Sequence, residues 1–338
     1  MNEQPTRRRL EHVGISLIGV LAVVAVGLLA VDALRTYPYV GELYDQARIA
    51  GWWLDHYLGT NVFYHPFMWR SIATGVLIGI VAPLVGTYLV HREMALIGET
   101  LAHTAFAGVA IGLLFSATTS WGISLLLAAL VVGILGALGV QWLAERTDTY
   151  GDVPIAIMLT GSFAVGTLII SYGRGMTGIN IEDYLFGSIS VVTPGGARLM
   201  AALSVLVVAV VVATYKQLLF ITFDEQAARV ARLNVTWYNT LLIVMTAVVV
   251  VGAMQILGVI LVAAMLVVPV AAATQIARSF RETLFCSILF GQLAIVGGFA
   301  VSISQGLPTG GSIVIVAIAS YLLAIAVSSR STAAISTH

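Results

Sequence analysis

Apolar runs of roughly twenty residues follow one another along almost the whole chain, separated by short polar breaks. They cover 13–31, 67–90, 94–115, 120–143, 154–172, 197–215, 237–275, 283–303 and 312–327. A bilayer core about 30 Å thick takes about 20 residues of helix at about 1.5 Å per residue, so each run suffices for one crossing. The run 237–275 is nearly twice that length and is expected to hold two helices, with the turn at Gln255 and Gly258. That makes ten helices. No run alternates apolar and polar residues as the wall strands of a barrel would. The pattern therefore predicts an all-α, polytopic membrane protein. Pro154 suits a first helical turn, whereas Pro83 and Pro269 fall inside spans, and Pro83 is expected to kink its helix.

Composition agrees. Of 338 residues, 59% are hydrophobic and 9% charged, with a mean hydropathy of +0.99. Soluble domains carry about a quarter charged residues, so this chain lacks the polar side chains to cover a water-facing surface. The 16 basic and 16 acidic residues cancel, which points to neither nucleic acid nor an acidic surface as a partner. Cys286 is alone, excluding an intramolecular disulfide or a cysteine metal cluster. Arg7, Arg8 and Arg9 precede 13–31 as in a signal peptide. The run exceeds the usual h-region of about 7–15 residues and no small-x-small cleavage site follows, so a retained helix is favoured.

Ten alternating spans with the N-terminus inside place Arg7, Arg8, Arg9, Arg92, Arg146, Lys216, Arg229, Arg232, Arg278, Arg281 and Arg330 on the inner side. Arg35, Arg48, Arg70, Arg174 and Arg198 fall outside. This bias satisfies the positive-inside rule and predicts a plasma-membrane protein with both termini cytoplasmic. The longest polar stretch, 32–66, carries Trp52, Trp53, Tyr57 and Tyr64 with Glu42, Asp45 and Asp55, as an interfacial segment would. Asp55, His56 and His65 are cation ligands by type, but solvated loop residues are the favoured reading. A second polar connector, 173–196, holds Asn180, Glu182 and Asp183.

Within 94–108 the chain reads Met-Ala-Leu-Ile-Gly-Glu-Thr-Leu-Ala-His-Thr-Ala-Phe-Ala-Gly, and Glu99 is the one acid between Glu93 and Glu145. Glu99 and His103 are four apart, on one helix face. If the helix enters the bilayer at Met94, they lie roughly 7 and 13 Å deep. Ionisable groups at such depth are costly and face a cavity or a partner. Carboxylate plus imidazole suits a divalent transition metal such as Zn, Mn or Fe, with positions left open for exchange. A simple hydrogen bond between the two, or to a neighbouring helix, is equally compatible with the residues alone. The chain has no His-Glu-x-x-His, no Gly-x-Ser-x-Gly and no Gly-x-x-x-x-Gly-Lys phosphate loop, so it is neither a hydrolase of those types nor its own ATPase.

The run from Val90 to Gly108 resembles the signature of the metal-importing ABC permeases of the zinc/manganese/iron type, which typically read Arg-Arg-Met-Ala-Leu-Ile-Gly-Asp-x-Leu-Ser-His-Ala. Four further stretches resemble that family in the same order: Leu185-Phe-Gly-Ser-Ile189, Phe223-Asp-Glu-Gln-Ala-Ala-Arg229, 258–273 with Val268-Pro269, and Leu307-Pro-Thr-Gly310. The resemblance implies a type II ABC importer-like permease over 67–330, preceded by an additional helix and extracytoplasmic segment in 1–66. It implies a homodimer in the bilayer that docks two cytoplasmic ABC ATPase subunits and receives metal from an extracytoplasmic solute-binding protein. Glu99 and His103 then match the family's metal-coordinating aspartate and histidine. Phe223, Asp224, Glu225 and Ala228 fall on the ATPase-coupling element. No cofactor is held permanently; the divalent metal is cargo, and the imidazole and the Gly-Glu-Thr-Leu-Ala-His form lean towards zinc. Glu99 departs from the family's aspartate by one methylene, and 1–60 is a candidate face for the binding protein. The rival readings are a metal-chelate permease in which the pair is structural, an ion-coupled secondary transporter with Glu99 as its proton site, and, disfavoured by the missing motifs, an intramembrane enzyme.

Overall fold

The computed structural model describes residues 3–119, 124–146, 153–172, 185–188 and 192–335. The expectations for Asp148, Asp152, Asn180, Glu182, Asp183 and Ile189 lie outside the described residues. Among those described, the regular structure is helical: α1 (Glu3–Ala33), α2 (Pro38–Leu58), α3 (Pro66–His91), α4 (Leu96–Thr118), α5 (Leu125–Arg146), α6 (Val153–Tyr172), α7 (Pro194–Phe223), α8 (Glu225–Val230), α9 (Val235–Leu257), α10 (Val262–Thr274), α11 (Phe280–Gln305) and α12 (Thr309–Ile335). Nine of these are long and apolar enough to cross a membrane.

The tenth expected crossing is the run 258–280, which leads from the Gly258 end of the bundle back to Phe280 beside Tyr88 and His91 and is built around a shorter helix. α10 has 13 residues, about 20 Å of helix, too short to span a bilayer core by itself. The turn falls at 258–261, with Gly258 as the C-cap of α9 as expected, while Gln255 lies inside α9. Two boundaries moved. α7 runs on past Tyr215 through Lys216 and Gln217 to Phe223, and the polar stretch 32–66 contains a helix, α2.

Side chains punctuate the helices where the chain turns. Thr193 caps α7 by accepting from the Gly196 amide at 3.0 Å, just ahead of Pro194. Asn234 caps α9 through the Trp237 amide at 3.1 Å. Ser279 accepts from the Glu282 amide at 3.2 Å, while the Glu282 carboxylate accepts from the Arg278 amide at 2.9 Å. These caps satisfy amides that a helix start otherwise leaves orphaned.

α3 is the hub. In its membrane-spanning window 94% of the residues are buried, against 11% for α1 and for α6, which lie at the periphery. It packs against α1, α7, α9, α10 and α11. Apolar character all round is what a fully enclosed helix requires. Pro83 sits inside α3, where it leaves the Gly79 carbonyl without its usual helical donor. Gly291 of α11 lies against that spot: a Cβ there would meet both the Gly79 oxygen and Pro83 Cγ at 2.6 Å. One turn on, Thr87 donates to the Pro83 carbonyl at 2.7 Å and bonds Ser287 of α11 at 3.0 Å.

Candidate functional site

The turn before α4 is tight. The Met94 amide donates to the Leu89 carbonyl at 2.9 Å, and Glu93 takes a left-handed φ of 59°. α4 then packs against α5, α6, α9 and α10 through small residues. Gly98 sits under Leu266 of α10, a Cβ on Gly108 would lie 2.7 Å from the Ala129 backbone of α5, and Gly166 of α6 closes on Phe106. Thr104 is buried and donates to the Thr100 carbonyl at 2.8 Å; Thr100 is buried beside it. These contacts fix the rotation of α4 and hence the direction of its remaining face.

That face carries Glu99, exposed, and His103, half-buried one turn on. The His103 ring stands edge-on to Phe163 of α6 with centroids 4.8 Å apart. Its Nδ1 is buried with no hydrogen-bond partner. Among the described residues, no three His, Cys, Asp or Glu side chains come together as a metal-holding group. One chain therefore presents a carboxylate and an imidazole one turn apart on the face of α4 that its neighbours leave open.

The expected coupling residues cluster at the end of the bundle marked by Arg92. Asp224 caps α8 by accepting from the Ala227 amide at 2.8 Å. Glu225 pairs with Arg229 at 2.7 Å. Phe223 is exposed, whereas Ala228 is fully buried in a small cluster with Ile221 and Val235, separate from the main core. Sequence reasoning missed the two residues that tie this element to α4. Arg92, 8% exposed, donates to Asn239 of α9 at 2.7 Å and lies 3.5 Å from Glu225. It stands at the head of the signature run, which was the available signal; Asn239 gave none. A cavity of about 590 Å³ opens here, lined by Arg92, Met94, Gln141, Glu225, Arg229 and Asn239.

At the opposite end of the bundle, three stretches distant in sequence meet backbone to backbone. Gly187 and Gly258 have φ values of 76° and 78°. A Cβ on Gly258 would run into the Leu185 carbonyl and lie 2.5 Å from the Gly187 amide nitrogen. A Cβ on Gly310 would strike the Leu257 carbonyl and lie 2.6 Å from that of Phe186. The Ile260 amide donates to the Leu185 carbonyl at 3.3 Å, and the Ser302 hydroxyl to that of Leu307 at 2.7 Å. The Leu185, Gly258 and Leu307 stretches thus form one knot.

The polar segment differs from expectation at Asp55. It is a buried residue of α2 rather than a solvated loop residue, and its carboxylate accepts from Thr60 Oγ1 at 2.7 Å and from the amides of Val62, Phe63 and Tyr64 at 2.8–3.0 Å. His56 and His65 are exposed and stack on Trp52 and Phe67.

Residues 64–328 match the ABC 3 transport family. The chain belongs to that family. Among its relatives, the manganese transport system membrane protein MntC of Halalkalibacterium halodurans is 28% identical over 260 residues, 77% of this chain and 87% of that one. The manganese import system permease protein ScaB of Streptococcus gordonii is 30% identical over 249 residues, 74% and 87% of the two chains. Of solved structures, PsaBC from Streptococcus pneumoniae in complex with Fab aligns with a TM-score of 0.67 at 30% identity, covering 76% of this chain and 90% of the other. A structure described as an inward-facing metal-chelate-type ABC transporter aligns with a TM-score of 0.62 over 94% of this chain at 15% identity, a likeness of fold alone. The ABC 3 match begins at residue 64, so α1 and α2 lie outside it. The chain is a multi-pass membrane protein of the metal ABC permease type.

Proposed function

We propose that this chain is the permease of an ATP-driven importer for a divalent transition metal, working as a homodimer in the plasma membrane. The observation that carries this reading is the pair Glu99 and His103, one turn apart on the face of α4 that its neighbours leave open. Two copies placed face to face bring two carboxylates and two imidazoles, the four-ligand count that tetrahedral sites use. Separated copies hold only two ligands each, so a change in their spacing loads and releases the ion. Weak, incomplete coordination suits a site that the cargo must leave.

The names of the relatives support manganese as the cargo over the zinc suggested by the imidazole. Manganese also takes carboxylate oxygen readily. The Arg92 end of the bundle is the cytoplasmic one in this proposal, in keeping with the positive-inside bias. There α8 meets an ABC ATPase subunit on each copy, with Glu225 held by Arg92 and Arg229. The knot end faces outwards, towards an extracytoplasmic binding protein that delivers the ion.

Uptake of radiolabelled manganese into vesicles containing the assembled transporter tests this. Glu99→Gln and His103→Ala are each expected to lower ATP-dependent uptake by at least about tenfold, the loss of one metal ligand at about 1.4 kcal/mol or more. Wild-type uptake in both variants removes the pair from the mechanism. Uptake without any ATPase subunit would instead favour the ion-coupled rival.

A further inference from the structure

α2 is held at both ends to the same end of the helix bundle. Its N-terminus follows α1 through a tight turn in which the Tyr37 amide donates to the Leu34 carbonyl at 3.0 Å and the Gly41 amide to that of Tyr37 at 2.8 Å. Thirteen residues on, Gly51 is buried against the Phe63 carbonyl and the Trp69 indole; Trp69, in the first turn of α3, donates to that same carbonyl at 2.7 Å. Both anchors sit at the level where a membrane-spanning helix ends or begins. The intervening stretch is about 20 Å of straight helix. It therefore runs along the bilayer surface rather than standing off it.

The helix has three sides. Tyr44, Arg48, Gly51 and Asp55 follow helical spacing on the side turned to the protein, and the four hydrogen bonds to Asp55 lock loop 60–64 beneath it. A second row is Tyr39, Leu43, Ala50, Leu54 and Tyr57, at steps of four, seven, four and three, with Gln46 the one polar residue in its gap. It is apolar and exposed, with Tyr39 at 89% and Tyr57 at 80%. The third side carries Glu42, Asp45 and His56 together with Ile49 and Trp52, all exposed.

We infer that the Tyr39–Leu43–Ala50–Leu54–Tyr57 row is seated in the headgroup layer of the leaflet at this end of the bundle, with Glu42 and Asp45 turned to water. A helix lying on a bilayer beside its own protein has two free sides, and the apolar one goes to the lipid. Tyr residues at its two ends and Trp53 between them are the side chains that headgroup layers accommodate, an apolar ring with a polar edge. α1, which leads into α2, is itself exposed along its membrane-spanning window, with Val20 and Val23 open to the lipid that surrounds it. A protein arriving from the aqueous side meets the acidic row instead. α2 thus acts as an outrigger, fixing the outer ends of α1 and α3 relative to the membrane plane.

The test uses the full chain with its ATPase subunits in phosphatidylcholine/phosphatidylglycerol nanodiscs. Single cysteines at Leu43, Leu54 and Asp45 in a Cys286→Ala background are labelled with an environment-sensitive nitrobenzoxadiazole probe; melting temperatures equal to the parent's establish folding, and Tyr57→Cys replaces any variant that fails. Probes at Leu43 and Leu54 are expected to emit at shorter wavelength, to be quenched by doxyl-labelled lipid and to resist iodide. The probe at Asp45 is expected to show the reverse. Iodide quenching at Leu43 and Leu54 equal to that at Asp45 overturns the inference. So does iodide access there that disappears only when purified extracytoplasmic binding protein is added, which would make the row a protein-docking face.

Discussion

Replacing Gly258 with alanine isolates the contribution of the knot between the Leu185, Gly258 and Leu307 stretches. Gly258 has φ 78° and ψ 158°, a region open almost to glycine alone and costing other residues of order 1–3 kcal/mol. Its new Cβ would also lie 2.5 Å from the Gly187 amide nitrogen and closer still to the Leu185 carbonyl, where real Cβ contacts stay beyond 3.0 Å. Relieving such an overlap shifts backbone and costs roughly another 1–3 kcal/mol. The two together come to about 4 kcal/mol, a large share of the roughly 5–15 kcal/mol that holds a folded protein. At about 1.5 °C per kcal/mol for a chain of this size, the melting temperature of the purified protein is expected to fall by roughly 6 °C. Gly311→Ala is the control: nothing lies within 4 Å of its would-be Cβ, and in the first turn of α12 alanine is at least as stable as glycine. A differential melting scan that gives both variants the same temperature refutes the argument that backbone contact at the knot supports the fold.

The Asp55 carboxyl gives a pH-dependent prediction. Burial alone would raise its pKa, but hydrogen bonds from Val62, Phe63, Thr60 and Tyr64 outweigh this and lower it from the ordinary 3.8 to about 2. The stabilisation is therefore full above pH 3.8 and lost as pH falls through about 2. Hydrogen exchange in loop 59–65 should accelerate across that window, and Asp55→Asn should show fast exchange already at neutral pH. Arg92→Ala removes a charge-assisted hydrogen bond of about 2 kcal/mol between the α3–α4 turn and α9. ATPase turnover measured alongside uptake should then show less metal moved per ATP, and Asn239→Ala should add little to Arg92→Ala in the double variant. Glu99→Asp restores the family's aspartate and draws the carboxylate back by one methylene; competition uptake should show an altered ranking among manganese, zinc and iron, and an unchanged ranking removes carboxylate reach as a selectivity element.

The membrane spans were legible wherever a charged break ended an apolar run. Expected 67–90 and 154–172 stand beside observed Pro66–His91 and Val153–Tyr172. Inside the apolar run 237–275 the turn was legible through Gly258, though not what holds it. Residues 258–261 turn inside apolar sequence because Gly258 supplies the backbone angle and Leu185 the hydrogen-bond partner, and the latter is a tertiary fact. Asp55 looked like any loop acid, since the four donors that bury it lie five to nine positions downstream in a fold the pattern does not specify. The spacing of Glu99 and His103 put them on one helix face, as found. Which way that face points depends on how Gly98, Gly108 and Gly166 let α4 nestle against its neighbours, and spacing does not carry that. Arg92 and Asn239 are 147 positions apart, so no local pattern joins them.

The small cluster of Ile221, Ala228 and Val235 gives α8 a core of its own, detached from the one that holds the spans together. Six residues of helix resting on so little apolar surface form an independently opening unit. α8 can therefore melt and re-form while the transmembrane bundle stays intact. Limited proteolysis of the purified protein is therefore expected to cut within 225–230 before it cuts any of the long helices.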